Sequence, residues 1–197
     1  KATKVSQLSV ALAGTKFGVD FNPAANRLRV ISETGQNLRH NIDDPMGMPA
    51  AGKTAADGTL TYPPMTAPAT GVTAAAYTNN DLDPATATTL FDLDTSLDQI
   101  SVQSPANAGS LAPTGKLGVD AGSSAGFDIY SPRRGGKATA ATALATLQVG
   151  QKYGLYKVDL LTGTAKAVGT FPSRQQVVDL AIQVDQRGFG SAAPAGS

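Results

Sequence analysis

Cysteine and tryptophan are absent from this sequence, histidine occurs once, and charged side chains are scarce. Each shortage closes a route. Without cysteine there are no disulfides, thiolate metal sites, iron–sulfur clusters or thiol nucleophiles. A single imidazole, His40, cannot by itself build the multi-histidine centres of catalytic copper and zinc sites. Charged residues make up 16% of the 197 positions, against roughly 25% in an average soluble domain, so Thr, Ser, Asn, Gln and Gly carry much of the surface polarity. The 16 basic and 15 acidic residues nearly cancel and are scattered. No basic run is left to neutralise phosphates, which argues against a nucleic-acid partner. No apolar stretch approaches the roughly 18 residues of a spanning helix, so membrane insertion is not expected. The opening KATKVSQLSVALAG has neither the apolar core nor the cleavage site of a signal peptide.

What the sequence does have is alternation with a period of two. Phe17, Val19 and Phe21 alternate with Gly18 and Asp20, and RLRVIS and NLRHNID follow as second and third strands. NPAAN and SETGQ between them carry turn residues, Thr34-Gly35 suiting a tight hairpin. The pattern returns near residues 74, 125 and 177. Aligning Phe17, Ala74, Ala125 and Val177 gives spacings of 57, 51 and 52 residues. Each complete unit also has a later strand ending in Asp, at Asp43, Asp94 and Asp159.

Four-strand units at such a period predict an all-β, β-propeller-like array of antiparallel meander blades. About four blades' worth is visible, in one domain over residues 1–187 with a flexible tail at 188–197. A β-sandwich is the competing architecture. The Ala-rich segment GGKATAATALATLQVG reads as strand, because Thr139, Thr142 and Thr146 interrupt a helix and the unit needs a strand there. Residues 41–71 read as a long loop pinned by TLTY. The first residues look like the last strand of a unit and VVDLAIQVD like a first one. The expectation is therefore the C-terminal portion of a longer protein, with a ring completed by upstream residues.

FGVDFNPAANRLRVISETGQNLRHNID, the AAYTNND to TGKLGVD stretch and GLYKVDLLTGTAKAVGTF together resemble the DUF4394 family over nearly all of residues 7–185. The resemblance implies propeller-like repeats and a place in exported bacterial proteins, hence an extracytoplasmic location: cell envelope, periplasm or secreted. It brings no catalytic residues with it. It also implies an apolar residue at position 40, from which His40 departs.

Three groups of side chains are candidate sites, and each has a structural alternative. His40 with Asp43 and Asp44 can hold a metal or relay a proton, or it is a surface histidine on a strand. Asp20, Asp128 and Asp179 recur in the leading strands. They either ring a channel and bind a divalent cation such as Ca²⁺, or accept backbone hydrogen bonds from the next unit. Arg27, Arg29 and Arg39 share one face of a hairpin. Alternation with apolar residues makes that the outward face, where the row receives an anionic sugar or an acidic protein surface, pairs with Glu33, or is merely solvated. GKT at 52–54 lacks the earlier glycine of a phosphate loop, and no G-x-S-x-G nucleophile elbow occurs.

Two functions follow. One is an exported or envelope scaffold or binding module without catalytic machinery, its partner an extracellular protein or a polysaccharide. The other is an exported metal-dependent enzyme that uses His40 and nearby carboxylates with further ligands from elsewhere. That enzyme would be a redox enzyme, such as a copper-dependent superoxide dismutase, or a hydrolase.

Overall fold

The computed structural model describes residues 1–80, 83, 85–135 and 137–183; the expected tail at 188–197 lies outside them. Among these residues there is no α-helix, and all regular structure except one 3₁₀ turn is strand. Sheet one is the antiparallel meander β1 (Phe17–Asn22), β2 (Arg27–Ser32), β3 (Asn37–His40) and β4 (Thr54–Ala56). Sheet two repeats it with β5 (Val72–Tyr77), β6 (Leu90–Asp94), β7 (Gln99–Gln103) and β8 (Leu111–Lys116). Sheet three begins with β9 (Ala121–Tyr130), and β10 (Arg133–Arg134) and β11 (Lys137–Ala138) then form a separate two-stranded ribbon. Sheet three resumes with β12 (Thr142–Val149), β13 (Lys152–Val158) and β14 (Ala165–Thr170).

Turn chemistry fixes the meanders locally. Asn22 Oδ1 accepts the N–H groups of Ala24 and Ala25, and Asn26 follows with φ of 51°. Gly35, at φ 85°, closes the β2–β3 hairpin by donating its N–H to Ser32. The Ala-rich segment is strand as expected. Ala143, Ala145 and Leu147 of β12 are buried on one face. Residues 41–71 contain a strand that the sequence did not announce, β4, because KTAADG has the composition of a loop. TLTY is a strap between sheets: Thr61 bridges to Pro68 and Ser110 and places Leu60 and Tyr62 in the core. The Asp-ending strands do not mark one blade position. LFDLD is second in its sheet, YKV before Asp159 is third, and β3 stops at His40 before Asp43. What the second and third share is a turn in which the carboxylate accepts two backbone N–H groups, Ser96 and Leu97 at Asp94, Leu161 and Thr162 at Asp159.

Sheet two is the middle layer. Its Ala74, Ala76, Phe91, Leu93 and Ile100 pack on Ala125, Phe127, Ile129 and Leu147 of sheet three. Its other face meets sheet one through a smaller cluster in which Ile31, Leu60, Ala75, Tyr77 and Leu90 participate. The leading strands lie side by side, β1 against β5 and β5 against β9. Residues 177–183, expected to be strand, run beside β9 without a ladder.

Two glycines permit that approach. A Cβ on Gly18 would lie 2.5 Å from the Ala75 nitrogen, and one on Gly126 2.5 Å from the Asp179 Cα. These contacts correct the repeat alignment by a residue. Gly18 and Asp20 face the next sheet, and in sheet two the residues facing onward are Ala74 and Ala76. Gly18–Asp20 thus corresponds to Ala74–Ala76 and Gly126–Asp128. The alanine run had hidden the offset. Gly18→Ala and Gly126→Ala should each cost about 1–3 kcal/mol in urea unfolding, because backbone must move to admit the methyl. Gly52→Ala, with nothing near its Cβ position, tests turn strain alone.

Candidate functional site

The acids of the leading strands act as clamps. Asp20 Oδ2 accepts the Tyr77 N–H of the next sheet at 2.6 Å, and Asp128 Oδ2 accepts the Ile182 N–H at 2.6 Å. The other oxygen of each takes the N–H of its own following residue. Burial lifts the Asp20 carboxyl to about 6, against the lowering effect of the Tyr77 and Phe21 N–H groups, and Asp128 adds to the rise. Asp179 is not their equivalent. It sits where Gly126 approaches, the place of Ala74, and its carboxylate takes the Leu180 N–H.

The three arginines do share a face, with Arg29 opposite Arg39 in register. That face does not point outward as expected. It turns toward sheet two, and Arg27 and Arg29 are buried. Arg29 pairs with Asp57 at 2.7 Å and donates to Tyr77, Asn37 and Asn107. Arg39 takes the other Asp57 oxygen at 3.1 Å. The counter-charge and acceptors come from distant segments, so burial that looks prohibitive in β2 alone is compensated in the fold. Arg27 pairs with Asp44 at 2.9 Å and donates to Ala25 and Asn26, tying the 41–49 loop to the β1–β2 turn. Glu33 pairs with none of these three arginines; it receives the N–H groups of Thr15 and Lys16.

His40 is not on the surface either. It is 2% exposed. Ser6 Oγ lies 2.8 Å from Nε2 and Thr54 Oγ1 lies 3.0 Å from Nδ1, so hydroxyls engage both ring nitrogens. Asp44 is committed to Arg27, whose hydrogen bond holds its carboxyl below the usual range, and Asp43 is exposed. Among the described residues no three His, Cys, Asp or Glu side chains gather at metal-binding spacing. Nor does any described helix have the length and apolarity to cross a membrane.

Two features escaped the sequence reading. The first is a cleft of about 850 Å³ between sheets two and three. Phe91, Val158 and Leu160 give it an apolar floor, with Thr78, Thr162, Thr164, Lys157 and Lys166 around it. Lys157 and Lys166 are register partners on β13 and β14, and both are exposed. Asp159, also at the cleft, has its carboxyl held low by the Thr162 and Leu161 N–H groups. The second is the polar half of the sheet one–sheet two interface. There Asp92, Asp94, Gln99, Ser101 and Gln103 lie on a single buried face of β6 and β7. Alternation in LFDLD and QISVQ marks that face, but acids on it read as solvent-facing until sheet one is laid over them.

Two outcomes test these assignments. Arg29→Met strands Asn37, Asn107 and Tyr77, leaves Asp57 to Arg39 alone, and should cost about 3–5 kcal/mol in urea unfolding; a loss within 0.5 kcal/mol, roughly that of a surface change, would contradict the burial. Asp20 has a folded pKa above the unfolded value of 3.8, so its stabilising contribution is whole at low pH and is lost as pH rises through about 6. Relative to Asp20→Asn, the wild-type melting temperature should therefore fall between about pH 4 and 7 and level off above. A flat difference would mean an ordinary carboxylate.

Searches of curated proteins and of solved structures return no match. A family model does match, over residues 1–181. These residues include β1 to β14 and the Gly18–Asp20 and Gly126–Asp128 clamps. The chain therefore belongs to the family described as a domain of unknown function, DUF4394.

Proposed function

We propose that this protein is a β-propeller-type binding module, exported or held at the cell envelope, whose inter-sheet cleft receives an anionic polysaccharide. The observation carrying the ligand class is the Lys157–Lys166 pair beside an apolar floor. Like charges directly opposite on neighbouring strands repel. A carboxylated sugar between them turns that repulsion into two charge-assisted contacts, while its apolar ring face lies over Phe91 and Leu160. Three four-stranded meanders with leading strands side by side, the Asp20 clamp between the first two and the Asp128 clamp from the third to residues 177–183, support the propeller reading. The scarcity of charge and abundance of Thr, Ser and Gly suit a polar, weakly charged exterior. The competing enzyme built on His40 would first have to free its ring from Ser6 and Thr54.

Isothermal titration with polygalacturonate at low ionic strength tests the cleft. Binding should weaken with added salt and fall at least about tenfold in Lys157→Ala/Lys166→Ala, with the melting temperature unchanged. No heat with the wild type, or equal affinity in the double variant, would remove the reading.

A further inference from the structure

Asp92 is fully buried in the middle of β6, and neither of its carboxylate oxygens has a hydrogen-bond partner. Gln103 on β7 is 2% exposed; its Nε2 donates to the Ala106 carbonyl, while its Oε1 accepts nothing. The two residues share one sheet face. Asp92 stands opposite Ser101, and Gln103 is the next same-face position along β7. Such diagonal neighbours are within reach of each other's side chains. Ser101 is also fully buried, and its hydroxyl touches only the Tyr62 hydroxyl, at 3.4 Å. Three oxygen acceptors are thus stranded around one hydroxyl, where an unmet polar atom is expensive.

Most of the neighbouring donors are committed. Arg29 uses its guanidinium on Tyr77, Asn37, Asp57 and Asn107. Tyr62 donates its hydroxyl proton to Asp94 at 2.8 Å. Charge gives an independent argument. Arg29 and Arg39 face Asp57, Asp92 and Asp94, leaving one negative charge uncompensated in the interface when all are ionised. A proton on Asp92 would cancel that charge, but as a single new donor it would meet only one of the two remaining acceptors, the Asp92 carbonyl oxygen and Gln103 Oε1.

We infer that the interface between sheets one and two holds a desolvated hard cation, of the Ca²⁺ or Na⁺ class, bound by Asp92, Ser101 and Gln103. A metal ion accepts lone pairs from all three side chains at once. All-oxygen donors without imidazole or thiolate select such cations over copper or zinc. Mg²⁺ fits poorly, since it keeps several waters and demands a near-octahedral shell. A bound Na⁺ balances the Asp92 charge, a bound Ca²⁺ exceeds it by one, and either joins β6 to β7 beneath the Arg29 network. This site is separate from the polysaccharide cleft, which lies against the opposite face of sheet two, so either proposal can fail alone.

The test uses the intact chain, stripped with a chelator into choline chloride buffer. Added Ca²⁺ or added Na⁺, in separate arms, should raise the melting temperature by about 5 °C at roughly a hundred times its dissociation constant. K⁺ and Mg²⁺ serve as controls. Equilibrium dialysis should find a single ion bound per chain. Asp92→Asn and Gln103→Leu should each abolish most of the shift, and Lys157→Ala should leave it intact. The proposal is overturned if neither arm moves the melting temperature, or if the shift survives in Asp92→Asn. If a variant does not fold, infrared spectroscopy of the wild type decides. A buried protonated carboxylic acid whose carbonyl band persists at saturating Ca²⁺ and Na⁺ would place a proton where the cation is proposed, whereas loss of that band, or an ionised carboxylate throughout, supports the site.

Discussion

The arrangement depends on how closely one leading strand can lie against the next. Gly18 and Gly126 remove the side chain that would hold the strands apart, and two residues later a carboxylate crosses the gap to a backbone N–H. The second step requires the first, since a carboxylate on a short stem reaches a neighbouring amide only if the backbones are already near. The bond then satisfies an N–H that would otherwise be lost between sheets that share no ladder. Asp20 shows what this costs. Burial raises its carboxyl, and the nearby Asp128 adds to the strain. At the corresponding place in β5 stands Ala76, which keeps a third acid out of the same neighbourhood.

The two interfaces of sheet two divide the labour. Toward sheet three it is apolar and tolerant, Ala and Leu against Phe and Ile. Toward sheet one a smaller apolar cluster shares the face with ion-paired arginines, buried acids and hydroxyls. A hydrophobic layer supplies most of the burial free energy, while a charged network accepts only one partner geometry. The large cleft opens on the apolar side and the tightly specified contacts lie on the other, so ligand recognition and structural specification fall on different faces of one sheet.

The first three leading strands, the hairpin turns and strand in the Ala-rich segment were legible because each rests on local chemistry: alternation, positive-φ glycine, β-branched threonine. The repeat register slipped by a residue at Ala74–Ala76, where three identical side chains carry no phase. The Asp-ending strands looked equivalent because carboxylate-capped turns look alike wherever in a sheet they fall. The candidate sites were least legible. Arg29 sits in β2 as a strand-face arginine would, and only Asp57, Asn107 and Tyr77, 28 to 78 residues away, make its burial tolerable. Likewise His40 is interior because a distant serine comes to meet it. The cleft depends on where sheets two and three diverge, a relation that no window along the chain contains.

The segment ahead of β1 is fastened in an unusual way. Ser9 and Thr54 exchange bonds from backbone to hydroxyl, Gln36 grips Ala11 and Ala13, and Glu33 receives Thr15. Every hydrogen bond holding residues 6–15 to sheet one has a side chain at one end or both. Such attachment works like a row of press-studs: each releases separately, and the sheet beneath keeps all its own pairing. Peeling that begins at Ser6 opens the imidazole to water while the sheets stay together.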